Sequence, residues 1–137
     1  DGDKEWFITA SEPDRPGGIT YLPLTFEPPL KENESLIAEI DSKSTKDNLV
    51  QCYLQKEPAR KLKNLQNLPI LILSAEASYH SPYDHGTSNF LKQAGVEHDF
   101  IRLEDHGLHG NGHMMMLEKN NHEIADLLLK WIHSKNK

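Results

Sequence analysis

Pro69-Ile70-Leu71-Ile72-Leu73 is an apolar run with no polar alternation. A strand with one face in water alternates, whereas a strand covered by helices on both faces does not, so this run predicts a central strand of a parallel sheet. Just beyond it, Ser81, Pro82 and Asp84 follow the order of a helix start: a hydroxyl to accept the first amides, a proline at the first position, and an acid near the positive end of the dipole. Tyr83, Thr87, Phe90, Leu91 and Ala94 then recur at helical spacing, and Gly95 can adopt the left-handed conformation that ends a helix. Residues 100–103 predict a second short strand, which makes a right-handed strand-helix-strand crossover. Asn120 and Glu123 open a last helix with Ile124, Leu127, Leu128, Trp131 and Ile132 on one stripe, and Lys130, His133, Lys135 and Lys137 toward its C-terminal end. The fold class is α/β, with the order strand, helix, strand, loop, helix.

The first half reads differently. Five of the eight prolines and three of the eight glycines fall in the first thirty residues, where they interrupt any long ladder or helix, so residues 6–30 predict a proline-stiffened loop. Asn33 is placed to cap a short helix through residue 40, and Asp47 another through residue 55, on which Leu49, Cys52 and Tyr53 share a face until Pro58 stops the run. Residues 1–65 are therefore expected to form a lid or cap, and residues 66–137 the C-terminal α/β part of a core. Two parallel strands alone do not make a stable sheet covered on both faces, so further strands are expected from elsewhere.

Composition narrows the function. With 21 acidic against 15 basic side chains the net charge is −6, and the cations are scattered, which argues against nucleic acid and for a small neutral substrate. A single cysteine excludes an internal disulfide and a cysteine-based zinc site. No apolar run is long enough to span a membrane, and Asp1-Gly2-Asp3-Lys4 lacks the features of a signal peptide. The protein is expected to be soluble, either intracellular or with a signal upstream of this chain. The sequon Asn33-Glu34-Ser35 leans slightly toward secretion.

Chemistry concentrates in His106-Gly107-Leu108-His109-Gly110-Asn111-Gly112-His113-Met114-Met115-Met116. His113 falls between the second strand and the last helix, and loops at the carboxyl ends of parallel strands are where open α/β sheets place their sites. An imidazole constrained there is suited to general-base work on a hydroxyl; the alternative is a histidine hydrogen-bonded in a tight turn. His106, His109 and His113 could suggest zinc, but glycines 107, 110 and 112 oppose the regular helix that would align them, so no metal is expected. His109 and Asn111 are read as ordering the loop, and Met114 as lining a pocket. Glu76 directly follows the first strand, and Asp84 opens the helix. The offset at which a triad acid often stands falls on Ser78, so Glu76 is a displaced candidate acid, and Glu12 is another. No Gly-x-Ser-x-Gly elbow occurs in the 137 residues.

Taken together, Glu57-Pro58-Ala59-Arg60, Ser74-Ala75-Glu76-Ala77-Ser78-Tyr79-His80, Tyr83-Asp84-His85 and His109-Gly110-Asn111-Gly112-His113-Met114-Met115, with Arg15-Pro16-Gly17-Gly18-Ile19-Thr20 and Leu22-Pro23-Leu24-Thr25 upstream, resemble the C-terminal third of fungal and bacterial esterases of the α/β-hydrolase fold. The resemblance implies that His113 is the triad base for hydrolysis of small carboxylic esters without a cofactor. It also implies that the serine, the oxyanion hole and a glutamate acid precede Asp1, so the chain is expected to be either a processed subunit paired with an N-terminal hydrolase chain as a heterodimer or a piece of a cleaved polypeptide. A non-catalytic binding protein retaining the hydrolase scaffold is the alternative, and a metal-dependent hydrolase a third.

Overall fold

A computed structural model describes residues 24–41 and 49–136. They fall into two compact units, one running to Ile70 and resuming over Pro82–His98, the other formed by Leu71–Ser81 with the chain from Asp99 onward.

In the second unit the apolar run becomes β3 of the chain, Leu71–Ser74, which pairs in parallel with β4, Asp99–Arg102, in the register Leu71 to Asp99 through Ser74 to Arg102. β1 and β2 lie upstream, at Ala38–Ile40 and Tyr53–Gln55. The parallel pairing bears out the expected strand-helix-strand order, with the connecting helix α1 spanning Asp84–Gln93. A 3₁₀ turn, Leu103–His106, follows β4 directly, and α2 spans Asn121–Lys135. Ala75, Leu103 and Ile124 are buried together, with Leu73, Leu108, Met115, Leu127 and Leu128 packed against them. Each fully buried leucine here contributes about 1.5–3 kcal/mol of transfer free energy. The predicted stripe of α2 holds through Leu128, but Ile132 is 45% exposed. Trp131 instead closes the helix onto the strand, its indole N–H donating to the Asp99 carboxylate at 2.6 Å, which Lys135 also contacts at 2.6 Å.

The first unit corrects two expectations. Neither residues 33–40 nor the described part of 47–55 is helical: β1 and β2 pair antiparallel, Ala38 opposite Gln55 and Ile40 opposite Tyr53. Asn33 does not cap a helix but takes a left-handed conformation, φ 63°, in a turn where the Glu34 N–H donates to the Lys31 carbonyl. Cys52 lies next to a strand, not on a helix. The helical spacing of Leu49, Cys52 and Tyr53 loses to long-range pairing, because the backbone N–H of Asp41 donates to the Cys52 carbonyl at 2.9 Å and the backbone N–H of Lys56 to that of Ile37 at 2.7 Å. The Gln93 side chain then acts as a piece of strand: Gln55 N–H donates to its Oε1 at 2.9 Å and its Nε2 donates to the Gln55 carbonyl at 2.8 Å. Of the predicted proline-rich loop, residues 6–23 lie outside the described residues, and the rest is tied down by paired backbone bonds between Glu27 and Lys61, both 2.8 Å. Phe26, Cys52, Tyr53, Leu62, Phe90 and Leu91 are buried in this unit.

α1 starts later than predicted. Ser81 N–H donates to the Ser78 carbonyl in a run of turns, Tyr83 occupies the N-cap without a side-chain bond, and Asp84 remains the acid of the first turn. The predicted stop is realised in full. Gly95, φ 75°, donates to Lys92, and Val96 to Leu91, the pair of bonds that closes a Schellman end.

Candidate functional site

The site lies in the second unit, where the loop after β3 meets the loop after β4. Glu76, Ala77 and Ser78 engage the histidine loop almost residue by residue. Glu76 accepts from the Gly110 N–H at 2.8 Å and lies 3.3 Å from His109 Nδ1, Ala77 N–H donates to the Asn111 carbonyl at 2.9 Å, and Ser78 Oγ lies 3.2 Å from His113 Nδ1. Gly110 presents its amide to the carboxylate from φ 76°, a conformation costly for any residue with a Cβ. The Gly110 bond first, and His109 after it, hold the Glu76 carboxyl below its ordinary value of 4.5.

Asn111 anchors the loop from behind. It is 1% exposed, and its Nδ2 donates to Glu118 Oε2 at 2.8 Å and Asn120 Oδ1 at 2.7 Å, while its Oδ1 accepts from Asn120 Nδ2 at 2.9 Å. The other oxygen of Glu118 accepts from Gly112 N–H at 2.7 Å. A buried amide in so closed a network is costly to disturb, about 1–3 kcal/mol for each partner left unsatisfied. Asn120 precedes α2 as the sequence predicts, but its side chain serves Asn111 and makes no cap bond.

Held in this way, His113 is exposed, its ring within a three-ring cluster. The His80 ring stacks on it, centroids 4.9 Å apart and planes 20° apart, and Tyr79 leans against it at 4.6 Å and 47°. Ser78 Oγ also accepts the His80 backbone N–H at 3.1 Å. With Nδ1 engaged by Ser78, the Nε2 of His113 has no hydrogen-bond partner among the described residues. This arrangement leaves a ring nitrogen open to whatever docks against the loop.

The predicted residues thus part company. Glu76 goes to His109 and Gly110, while His113 pairs with Ser78; Glu12 lies outside the described residues. Met114 is 55% exposed beside His113. Met115 and Met116, with Leu73, Ile124 and Leu128, line an open apolar groove of about 540 Å³. Among the described residues no group of three or more His, Cys, Asp and Glu side chains is arranged to hold a metal ion. Ser78, Tyr79, His80 and Glu118 are the site residues that sequence reasoning passed over. The triad-acid offset falls on Ser78, which brings a hydroxyl rather than a carboxylate to His113.

No helix among the described residues is long and apolar enough to cross a membrane. No family model matches the chain, and no solved structure matches it significantly. Among curated proteins, a probable secreted lipase of Fungal sp. (strain ATCC 74256) is 45% identical over 118 residues, 86% of this chain and 32% of the relative. The chain spans about a third of the length of the lipase to which it is similar.

Proposed function

We propose that this chain is the C-terminal portion of a carboxylic ester hydrolase of the α/β-hydrolase class, with His113 as its general base. The observation that carries the reading is an exposed histidine, on the loop after β4, whose Nδ1 is engaged and whose Nε2 is open. Its likeness to a lipase supports the same chemistry. The nucleophilic serine, the oxyanion hole and the acid come from an N-terminal hydrolase chain outside these 137 residues, which also supplies the strands that extend β3 and β4. Residues 66–137 contribute the histidine, and residues 1–65 take part in substrate selection. Because the related lipase is described as secreted, secretion is the favoured location.

In the assembled enzyme His113 Nε2 removes the proton of the serine hydroxyl as its oxygen attacks the ester carbonyl. The tetrahedral intermediate collapses, and the imidazolium returns that proton to the departing alcohol. Water, deprotonated by the same nitrogen, then releases the acid. The methionine-lined groove suits a flexible acyl chain.

In the complete enzyme, His113→Ala is expected to lower kcat for p-nitrophenyl butyrate by at least about a hundredfold while leaving assembly intact. Near-normal hydrolysis by that variant would remove the mechanism. A serine-reactive phosphonate that fails to label the wild-type enzyme would favour a non-catalytic binding protein.

A further inference from the structure

The partner of His113 Nδ1 is a hydroxyl, and it is a well-held one. Ser78 is 6% exposed, its backbone N–H donates to the Ala75 carbonyl at 2.9 Å, its carbonyl accepts from Ser81 N–H at 3.0 Å, and its Oγ accepts the His80 amide at 3.1 Å. A serine oxygen has two lone pairs and one proton. With one lone pair given to His80, Oγ can still accept from Nδ1–H, or it can donate its own proton to a bare Nδ1. The two choices have opposite consequences at the far side of the ring. If Ser78 accepts, the ring proton sits on Nδ1 and Nε2 carries a free lone pair; if Ser78 donates, the proton sits on Nε2 and the ring cannot act as a base there.

We propose that Ser78 is a positioning residue that accepts the Nδ1 proton of His113 and so holds the imidazole in the tautomer whose Nε2 is basic, in a clamp completed by the rings of Tyr79 and His80. Three consecutive residues thereby fix three properties of one side chain. Ser78 sets the tautomer, His80 sets the ring plane by stacking, and Tyr79 bears on the ring at 47° and limits its rotation. Glu76 is not available for this task, because its carboxylate is taken up by Gly110 and His109, and the acid of the N-terminal chain acts one step further out, accepting a hydrogen bond from the hydroxyl proton that Ser78 keeps while its Oγ accepts from His80 and from Nδ1. The proposal deepens the ester-hydrolase reading and rests on it for its catalytic consequence, but the tautomer itself is a property of the loops.

The test uses the complete enzyme with ¹⁵N-labelled histidine. In the wild type, long-range ¹H–¹⁵N spectra should show His113 with a protonated Nδ1 and an unprotonated Nε2. Ser78→Ala should shift the ring toward a mixture of tautomers and lower kcat for p-nitrophenyl butyrate about 10–100-fold with KM changed less than about twofold. Ser78→Thr, which keeps the hydroxyl, should recover most of that loss. A wild-type His113 protonated at Nε2 overturns the proposal, and this measurement stands even if the alanine variant folds poorly. So does a Ser78→Ala enzyme with unchanged tautomer and unchanged kcat. If His113→Ala leaves hydrolysis intact, the ester-hydrolase reading fails, and the wild-type spectrum still decides what Ser78 holds.

Discussion

Glu76 and Ser78 stand two residues apart on one loop and serve the same histidine loop in different ways, one by charge and one by a hydroxyl. The Glu76 carboxylate is exposed, so its value lies in local order, screened as surface charge is. Its pKa is depressed in the fold, by the Gly110 amide first and His109 second, so the ionised form is the one the structure favours. The resulting hold on the loop is present above the ordinary carboxylate range and is lost as pH falls through the depressed value. The Gly110 amide proton should therefore titrate on acidification, with a midpoint below the ordinary carboxylate value, and Glu76→Gln should flatten that curve. An amide signal that titrates identically in both proteins would show that Gly110 does not sense Glu76.

Among the elements, the helix end at Gly95 is the most exacting. Its left-handed backbone is held by two Schellman bonds, and a Cβ there would lie 3.2 Å from Gln66 Nε2 and 3.3 Å from Lys61 Cδ. Gly95→Ala should destabilise the fold by about 1–2 kcal/mol, the usual cost of a left-handed alanine, seen as a lower denaturant midpoint with unchanged slope. A neutral substitution would mean the end can rearrange. This stop was legible in the sequence, as were β3, β4 and the two helices, because an unbroken aliphatic run and repeats at helical spacing are local signals. β1 and β2 were not legible. Three residues each, they exist by virtue of pairing across thirteen or more positions and of a glutamine side chain from a distant helix, and no local window contains that information. For the site, the histidine and its loop could be read from the sequence, but the partner of His113 could not: Ser78 lies 35 residues away.

At the scale of the molecule, Cys52 offers a reporter. It is fully buried, 3.5 Å from His85 Nε2, and burial, with the Asp41 charge adding to it, pushes its thiol from 9.0 up to about 12. The neutral thiol is thus favoured by the fold below the unfolded value, and that contribution is lost as pH rises through the folded one. At mildly alkaline pH, iodoacetamide should modify Cys52 only through opening of the surrounding structure, at a rate that follows denaturant as unfolding does. Rapid labelling of the native protein would mean this part of the chain opens without global unfolding.

The seam between the two site loops also has a kinetic side. Ser78 and His113 belong to one unit, yet the chain between them leaves it at Pro82 to build α1 in the other unit and returns at Asp99. Closing the seam therefore requires a contact between segments 35 residues apart along the chain. Loop-closure entropy is met before any of those bonds can form. In refolding experiments, the environment of the His113 ring should therefore be among the last features to reach its native state.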